Sequence, residues 1–247
     1  MIVTVIKTKP VITGDKLTDI LDASVNLLNN RSIVVVTSKI ISICEGRIVK
    51  IGEIEKDELI EQEAQYFLPR ETNPYHVSLT ITRNNLSATA GIDESNGNGY
   101  YVLWPENPQK TANEIRKFFC KKFNIQSCGI IITDSKTTPF RWGVTAISLA
   151  HSGFAAVKDY IGTKDIFGRK FEYEKLNIAD CLACASTVVM GEGKERTPIA
   201  VINEIPFVKF QKRNPTKKEL DELKITLDDD LYSPILKSVE WKKGKNK

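Results

Sequence analysis

Three stretches of this 247-residue chain gather side chains able to handle phosphate or metal. In the first, two apolar runs finish in polar residues: Ile33–Val36 leads into Thr37-Ser38-Lys39, and Ile130–Ile132 into Thr133-Asp134-Ser135-Lys136. Open α/β sheets bind ligands beyond the carboxyl ends of their strands. A hydroxyl beside a lysine suits phosphate oxygens, and a carboxylate beside a hydroxyl suits a hard divalent cation. The second stretch, residues 90–99, puts Asp93, Glu94, Ser95 and Asn96 between glycines. Its oxygens lie too close together for an EF-hand, and no glutamate follows at position twelve. The third is Met190-Gly191-Glu192-Gly193-Lys194-Glu195-Arg196. Its glycines stop a helix and let a ligand approach Glu192, while Lys194 and Arg196 can meet phosphates. Each stretch also has a plain structural role as a strand-end turn, an Asn-Gly hairpin turn or a helix end. Together they hold the groups that metal-assisted phosphoryl transfer needs. The chain has neither a Walker-A pattern nor a Gly-x-Gly-x-x-Gly fingerprint.

These groups need a scaffold, and apolar periodicity supplies one. Residues 2–6 predict a β-branched strand. A helix opens at Gly14-Asp15, carries Leu17, Ile20, Leu21, Val25 and Leu28 on one face, and ends at Asn29-Asn30. Ile33–Val36 and Gly129–Ile132 have the continuous apolar pattern of strands covered on both faces. Helices are expected near 55–67 (Leu59, Ile60, Ala64, Phe67), 109–123 (Ile115, Phe118, Phe119) and 176–190. Further strands are expected at 76–82, 100–104 and 198–202. The alternation argues for an α/β fold with α+β character and mixed sheets, because several strands pair antiparallel. Residues 1–205 form the expected core. Residues 206–247 form an expected charged extension, packed on or trailing from that core, with one helix near 216–224 and breaks at Pro215 and Pro234.

The totals bound the function class. The hydrophobic fraction of 41% and charged fraction of 27% are those of a globular protein. The net charge of +4 is mild but unevenly spread, with Lys209, Lys212, Arg213, Lys217 and Lys218 crowding one stretch and Lys242, Lys243, Lys245 and Lys247 the end. Such clusters are expected to be solvated surface and tail, not a nucleic-acid face. No apolar run approaches the ~18 residues that span a bilayer, and the first residues lack a leader pattern. Five irregularly spaced cysteines form no disulfide framework. Cytoplasmic residence is expected. Cys181 and Cys184 form a Cys-x-x-Cys without a second pair or a nearby histidine, so they are expected to be small buried thiols and not zinc ligands.

Ala90-Gly-Ile-Asp-Glu-Ser-Asn96, Thr133-Asp-Ser135, Phe140-Arg-Trp-Gly143, Asp165-Ile-Phe-Gly-Arg169 and Met190-Gly-Glu-Gly193 occur in an order that resembles the coenzyme F420-0 gamma-glutamyl ligases. Thr37-Ser-Lys39 with Glu45-Gly-Arg47 is similar to an early motif of that family. The resemblance covers roughly residues 1–205. It implies a family-specific α/β fold in an intertwined homodimer. It also implies GTP with Mn²⁺ or Mg²⁺, a monovalent cation as a further candidate, and a small-molecule acceptor carboxylate joined to L-glutamate through an acyl phosphate. Carried over by position, Asp93 and Asp134 would hold one metal, and Ser135 and Glu192 the other. Asp93, Asp134 and Glu192 would be the catalytic set. Ser38, Lys39, Asn96 and Met190, Gly191, Gly193, Lys194, Glu195, Arg196 and Thr197 would contact GTP, with Lys9, Pro10, Val11 and Ile12 along the nucleotide. Three places depart from the family pattern: Ile43 replaces a lysine, Thr137-Thr138 a Gly-Arg pair, and Ser148-Leu-Ala-His151 a glycine-rich strand. Apolar and hydroxyl side chains cannot replace cations. The departures leave open a nucleotide- or metabolite-binding protein with another acceptor or no ligation. His151 is expected to be structural.

Overall fold

The two apolar runs become neighbouring parallel strands, β2 (Ser32–Thr37) and β8 (Cys128–Thr137), at the centre of the computed structural model, which describes residues 1–246. Antiparallel pairing adds β12 (Ile199–Asn203) and β1 (Ile2–Ile6) on one side and β9 (Val144–Ser152) on the other. The order is β1-β12-β2-β8-β9. Residues two apart share a face, so Val34, Val36, Ile130 and Ile132 pack with Leu21, Ile115 and Phe119. Ile33, Val35 and Ile131 pack on the opposite side with Ala179, Leu182 and Ala183. The first layer is covered by α1 (Leu17–Ser24) and α4 (Pro108–Lys122), the second by α5 (Ile178–Met190).

Around this sheet lie α2 (Ser38–Glu45), α3 (Lys56–Glu63) and a two-stranded antiparallel pair of β3 (Ile48–Lys50) with β7 (Tyr100–Val102). A smaller antiparallel sheet has β4 (Tyr66–Phe67), β5 (Leu79–Thr82) and β6 (Asn85–Ala88). The pair β10 (Val157–Asp159) and β11 (Lys175–Asn177) brackets an exposed arm. The last segment holds α6 (Lys217–Asp221), opened by a Thr216/Glu219 capping box, then α7 (Ser233–Leu236) and β13 (Lys242–Lys243). No helix among the described residues is long and apolar enough to cross a membrane.

Several expectations need correction. The first helix ends at Ser24, not Asn29-Asn30. Lys122 Nζ donates to the carbonyls of Asp22 (2.5 Å) and Val25 (2.9 Å), so the end is capped from α4, and Val25 and Leu28 reach the core beyond it. The helix expected over 55–67 stops at Glu63, and Phe67 is buried from β4. Lys242 and Lys243 keep exposed side chains while their backbone, as β13, pairs with β4. Cys181 is exposed, because the buried stripe of α5 runs through Ala179, Leu182, Ala183 and Ser186. Cys184 is half-buried and its thiol donates to the Ala146 carbonyl at 3.2 Å.

Candidate active site

Asp134 and Ser135 do not follow a strand end; they lie within β8, which continues to Thr137 alongside β9. The pairing slips between Ile132 and Thr133, where β9 carries one extra residue, Leu149. Such bulges re-aim side chains. Beyond the slip, consecutive side chains diverge. Asp134 meets the indole N–H of Trp104 and the Ser38 hydroxyl. Ser135 points the other way, and its hydroxyl donates to Glu192 Oε2 at 2.8 Å. Burial pushes the Asp134 carboxyl up to about 6, against the pull of Trp104, the Ser135 backbone N–H, Ser38 and the nearby Lys39 charge.

Asp93 arrives from the loop after a short helical turn, Thr89–Gly91. Ala90 and Gly91 both take positive φ, 53° and 75°. A side chain on Gly91 would run into the Trp104 indole, so the glycine lets the indole reach Asp134. The Asp93 backbone bridges Val102 in both directions, at 3.0 and 2.7 Å. Its carboxylate accepts Lys39 Nζ at 2.5 Å, the Ser95 N–H at 2.8 Å and the Ser95 hydroxyl at 2.8 Å. Burial would raise this carboxyl, but the Lys39 and Ser95 hydrogen bonds hold it below the ordinary value. Lys39, in the first turn of α2, also donates to the Ser95 carbonyl (2.8 Å) and hydroxyl (3.1 Å), so its ammonium is bound entirely by the Asp93–Ser95 oxygens.

The third stretch closes the cleft. Gly191 ends α5 with φ 77°. Glu195 folds back so that Oε2 accepts the Gly193 N–H at 2.8 Å, and the Thr197 hydroxyl donates to the Met190 carbonyl at 2.5 Å. Asn96 Nδ2 donates to the Gly193 carbonyl at 3.2 Å, tying this segment to the Asp93 loop. The enclosed cleft is about 490 Å³. Of the expected residues, Lys39, Asp93, Asn96, Asp134, Ser135, Met190, Gly191, Glu192, Gly193, Glu195, Arg196 and Thr197 line it. Ser38 is buried beneath.

Others stand apart. Lys194 is exposed and does not line the cleft. Lys9 pairs with Asp15 at 2.8 Å over a different hollow, and Pro10 is exposed. Val11 and Ile12 line a small pocket with Ile43 and Asn96, touching the site only through Asn96. Ile43 is buried there and serves as packing. Lys136, from the second strand-end run, also lines the cleft, and sequence reasoning missed Trp104 and Lys56 there. Nothing around Trp104 in the sequence marks a hydrogen bond to a residue 30 positions away.

The oxygens fit a hard cation in kind. The Lys39 ammonium already stands as a cation on Asp93 within the field of Asp134, and Ser135 and Glu192 form a second oxygen pair. The donors come as these two pairs; no group of three or more His, Cys, Asp or Glu among the described residues is poised around one point.

The model of a family described as F420-0:Gamma-glutamyl ligase matches residues 5–204. The chain is similar to proteins named Coenzyme F420:L-glutamate ligase. The one from Methanopyrus kandleri is 29% identical over 206 residues, covering 76% of this chain and 80% of the relative. That from Methanococcus maripaludis strain C7 is 30% identical, covering 72% and 78%. That from Methanocaldococcus jannaschii is 32% identical, covering 73% and 79%. The matched span contains β12, β2, β8 and β9 of the central sheet, the end of β1 and the whole cleft, and the chain belongs to the F420-0:gamma-glutamyl ligase family.

Proposed function

We propose that this chain is a cytoplasmic GTP- and divalent-metal-dependent ligase that adds L-glutamate in amide linkage to a carboxylate of an F420-0-like precursor. The observation that carries the reading is the meeting of Asp93, Asp134, Ser135 and Glu192 in one cleft within the family-matched span. An acceptor carboxylate oxygen would attack the γ-phosphorus of GTP, releasing GDP and leaving an acyl phosphate. The glutamate amine would then attack the acyl carbon, expelling phosphate and losing a proton. Asp93 and Asp134 would hold one metal, Ser135 and Glu192 the other. When bound, Mn²⁺ or Mg²⁺ supplies the charge that neutralises the triphosphate.

The chain's own groups fit these roles. Trp104, Ser38 and the Ser135 backbone N–H hold the Asp134 carboxylate in place on the cleft wall. Lys39, Lys56 and Arg196 supply cations along its wall. Asn96 locks the Asp93 loop to the glycine segment that carries Glu192. Incubation with GTP, Mn²⁺, L-glutamate and F420-0 should release GDP in step with a glutamylated product, and Asp93→Ala should abolish both. No GDP release with any carboxylate acceptor would sink the reading.

One observation favours a second reading. Two cations of the family pattern are absent here, since Ile43 is buried packing and Thr138, in the arginine's place, is an exposed hydroxyl outside the cleft lining. A protein that binds nucleotide without ligation would show calorimetric GTP binding and no turnover.

The homodimer belongs to the same proposal. The tip of the β8–β9 hairpin exposes Phe140 and Trp142, and the arm between β10 and β11 exposes Ile166, Phe167 and Tyr173, all at 84% or more. Large apolar side chains gathered on projecting arms suit a partner surface.

A further inference from the structure

A second hollow, of about 450 Å³, opens along β9, the edge strand of the central sheet, and shares no lining residue with the cleft above. Its walls include Arg83 from the β5–β6 turn, Gln109 from α4, Ser148 and His151 from β9, Asp180 from α5 and Leu220 from α6. The strand edge is already occupied. Asp180 Oδ1 accepts the Ser148 N–H at 2.8 Å, and the Ser148 hydroxyl donates to the Ala150 carbonyl at 3.1 Å. Gln109 Nε2 donates to the His151 carbonyl at 2.7 Å. These bonds leave little edge for an added strand, so the hollow suits a small molecule better than a peptide.

Its charged groups are incompletely matched. Arg83 sits at a two-residue turn where it and Asn84 both take positive φ, 50° and 62°. Asn and Gly normally fill such positions. Its guanidinium is half-buried and donates once, to the Pro105 carbonyl at 2.5 Å. Among the described residues it has no carboxylate within ion-pair distance. Burial pulls its pKa below the ordinary arginine value. A guanidinium fork of this kind recognises carboxylates in bidentate fashion.

His151 is 1% exposed, and its buried Nε2 has no hydrogen-bond partner. Burial lowers its pKa to about 4 despite the Glu219 charge, so the imidazole is neutral at pH 7. Asp180 carries the opposite sign. It accepts from Ser148 and Asn177 and lies 3.8 Å from Lys136, which leaves lone pairs unused. Leu220 adds an apolar wall.

We propose that this hollow binds a small zwitterion of the amino-acid class, with its carboxylate on the Arg83 fork and its amine toward Asp180. Because the joined amino acid must bring its amine to the acyl carbon in the cleft, the ligand here is a free amino acid acting from outside the reacting centre. The test is calorimetry on nucleotide-free protein, with L-glutamate and glutarate as probes. L-Glutamate should bind saturably, and glutarate, lacking the amine, about tenfold more weakly. Arg83→Met should weaken L-glutamate at least about tenfold, and Leu220→Trp should block it by filling the wall. Both variants should keep the wild-type circular dichroism. Added GTP should leave the L-glutamate affinity unchanged.

Steady-state kinetics checks the separation: Arg83→Met should leave the glutamate KM unchanged, and a KM that rises with Kd would overturn a site outside the reacting centre. Saturable binding without any GDP release would keep this site while overturning the ligase reading. No saturable heat from wild-type protein, or wild-type affinity in both variants, would overturn the site itself.

Discussion

At the scale of single residues, the cleft depends on groups that place its carboxylates. Trp104 donates to Asp134, and Gly91 exists to make room for that indole. Groups that orient a metal's ligands commonly affect affinity or activity 10–100-fold when altered. Trp104→Phe keeps the ring's bulk and removes the donor, so Mn²⁺ affinity should fall by about 10–100-fold with little change in fold. Calorimetric Mn²⁺ titration of the variant checks this, and wild-type affinity would show that the indole is only filler. His151 makes a different residue-scale prediction. Its unfolded-state pKa is near 6.5 and its folded-state pKa about 4. Above 6.5 both states are neutral and the residue does not affect the pH dependence. As pH falls from 6.5 toward 4, the unfolded chain takes a proton that the folded chain refuses. Stability is therefore lost across that window, on the order of 3 kcal/mol at most. Urea unfolding of wild type and His151→Leu at pH 7.5 and 4.5 should show the loss only in wild type. Parallel pH profiles for the two proteins would refute it.

At the scale of elements, much was legible because burial writes itself into local pattern. Ile33–Val36 and Ile130–Ile132 announced strands covered on both sides, and both are fully buried. The stripe of α4 ran through Ile115 and Phe119 as the 3.6-residue period required. Three things stayed hidden, because they depend on distant partners. The strand β8 runs past its apolar stretch only because β9 continues to pair with it through Thr137 and Val144. Helix α1 stops where Lys122 caps it, and no residue inside α1 could signal that end. The terminal lysines look like a solvated tail, yet β13 finds the open edge of β4. Carboxylates and glycines of the site were visible as types at spacings, whereas the separation of Asp134 from Ser135 onto opposite faces needed the strand. The β13 pairing carries its own prediction. Gly244, Lys245 and Asn246 donate backbone N–H groups to the carbonyls of Gln65 (2.9 Å), Glu61 (2.8 Å) and Ala64 (3.2 Å), at the end of α3. Deleting residues 242–247 should cost about 2–4 kcal/mol, read as a fall in Tm of roughly 5–15 °C. An unchanged Tm would show that the strand merely rests on the surface.

At the scale of the whole molecule, the described residues place apolar surface in two projecting arms well away from the core. Phe140 and Trp142 crown the β8–β9 hairpin, with Trp142 meeting only the edge of Tyr75 at 6.2 Å between ring centres. Ile166, Phe167 and Tyr173 crown the arm between β10 and β11. The hairpin arm grows directly out of the strand that carries Asp134 and Ser135, so whatever holds the arm also steadies the cleft. If a second copy covers both arms, breaking the contact should separate the subunits without unfolding either core, because neither arm supplies the buried clusters of the central sheet. Trp142→Asp with Phe167→Asp places charges where the partner's apolar surface would lie, and a buried unpaired charge is strongly unfavourable. Light scattering coupled to size exclusion should show a dimer for the wild type and a monomer for the double variant, with unchanged far-ultraviolet circular dichroism. The monomer should also lose GTP turnover if the arm must be held for Asp134 and Ser135 to keep their places. A wild-type protein that elutes as a monomer at micromolar concentration would remove the partner copy from the account.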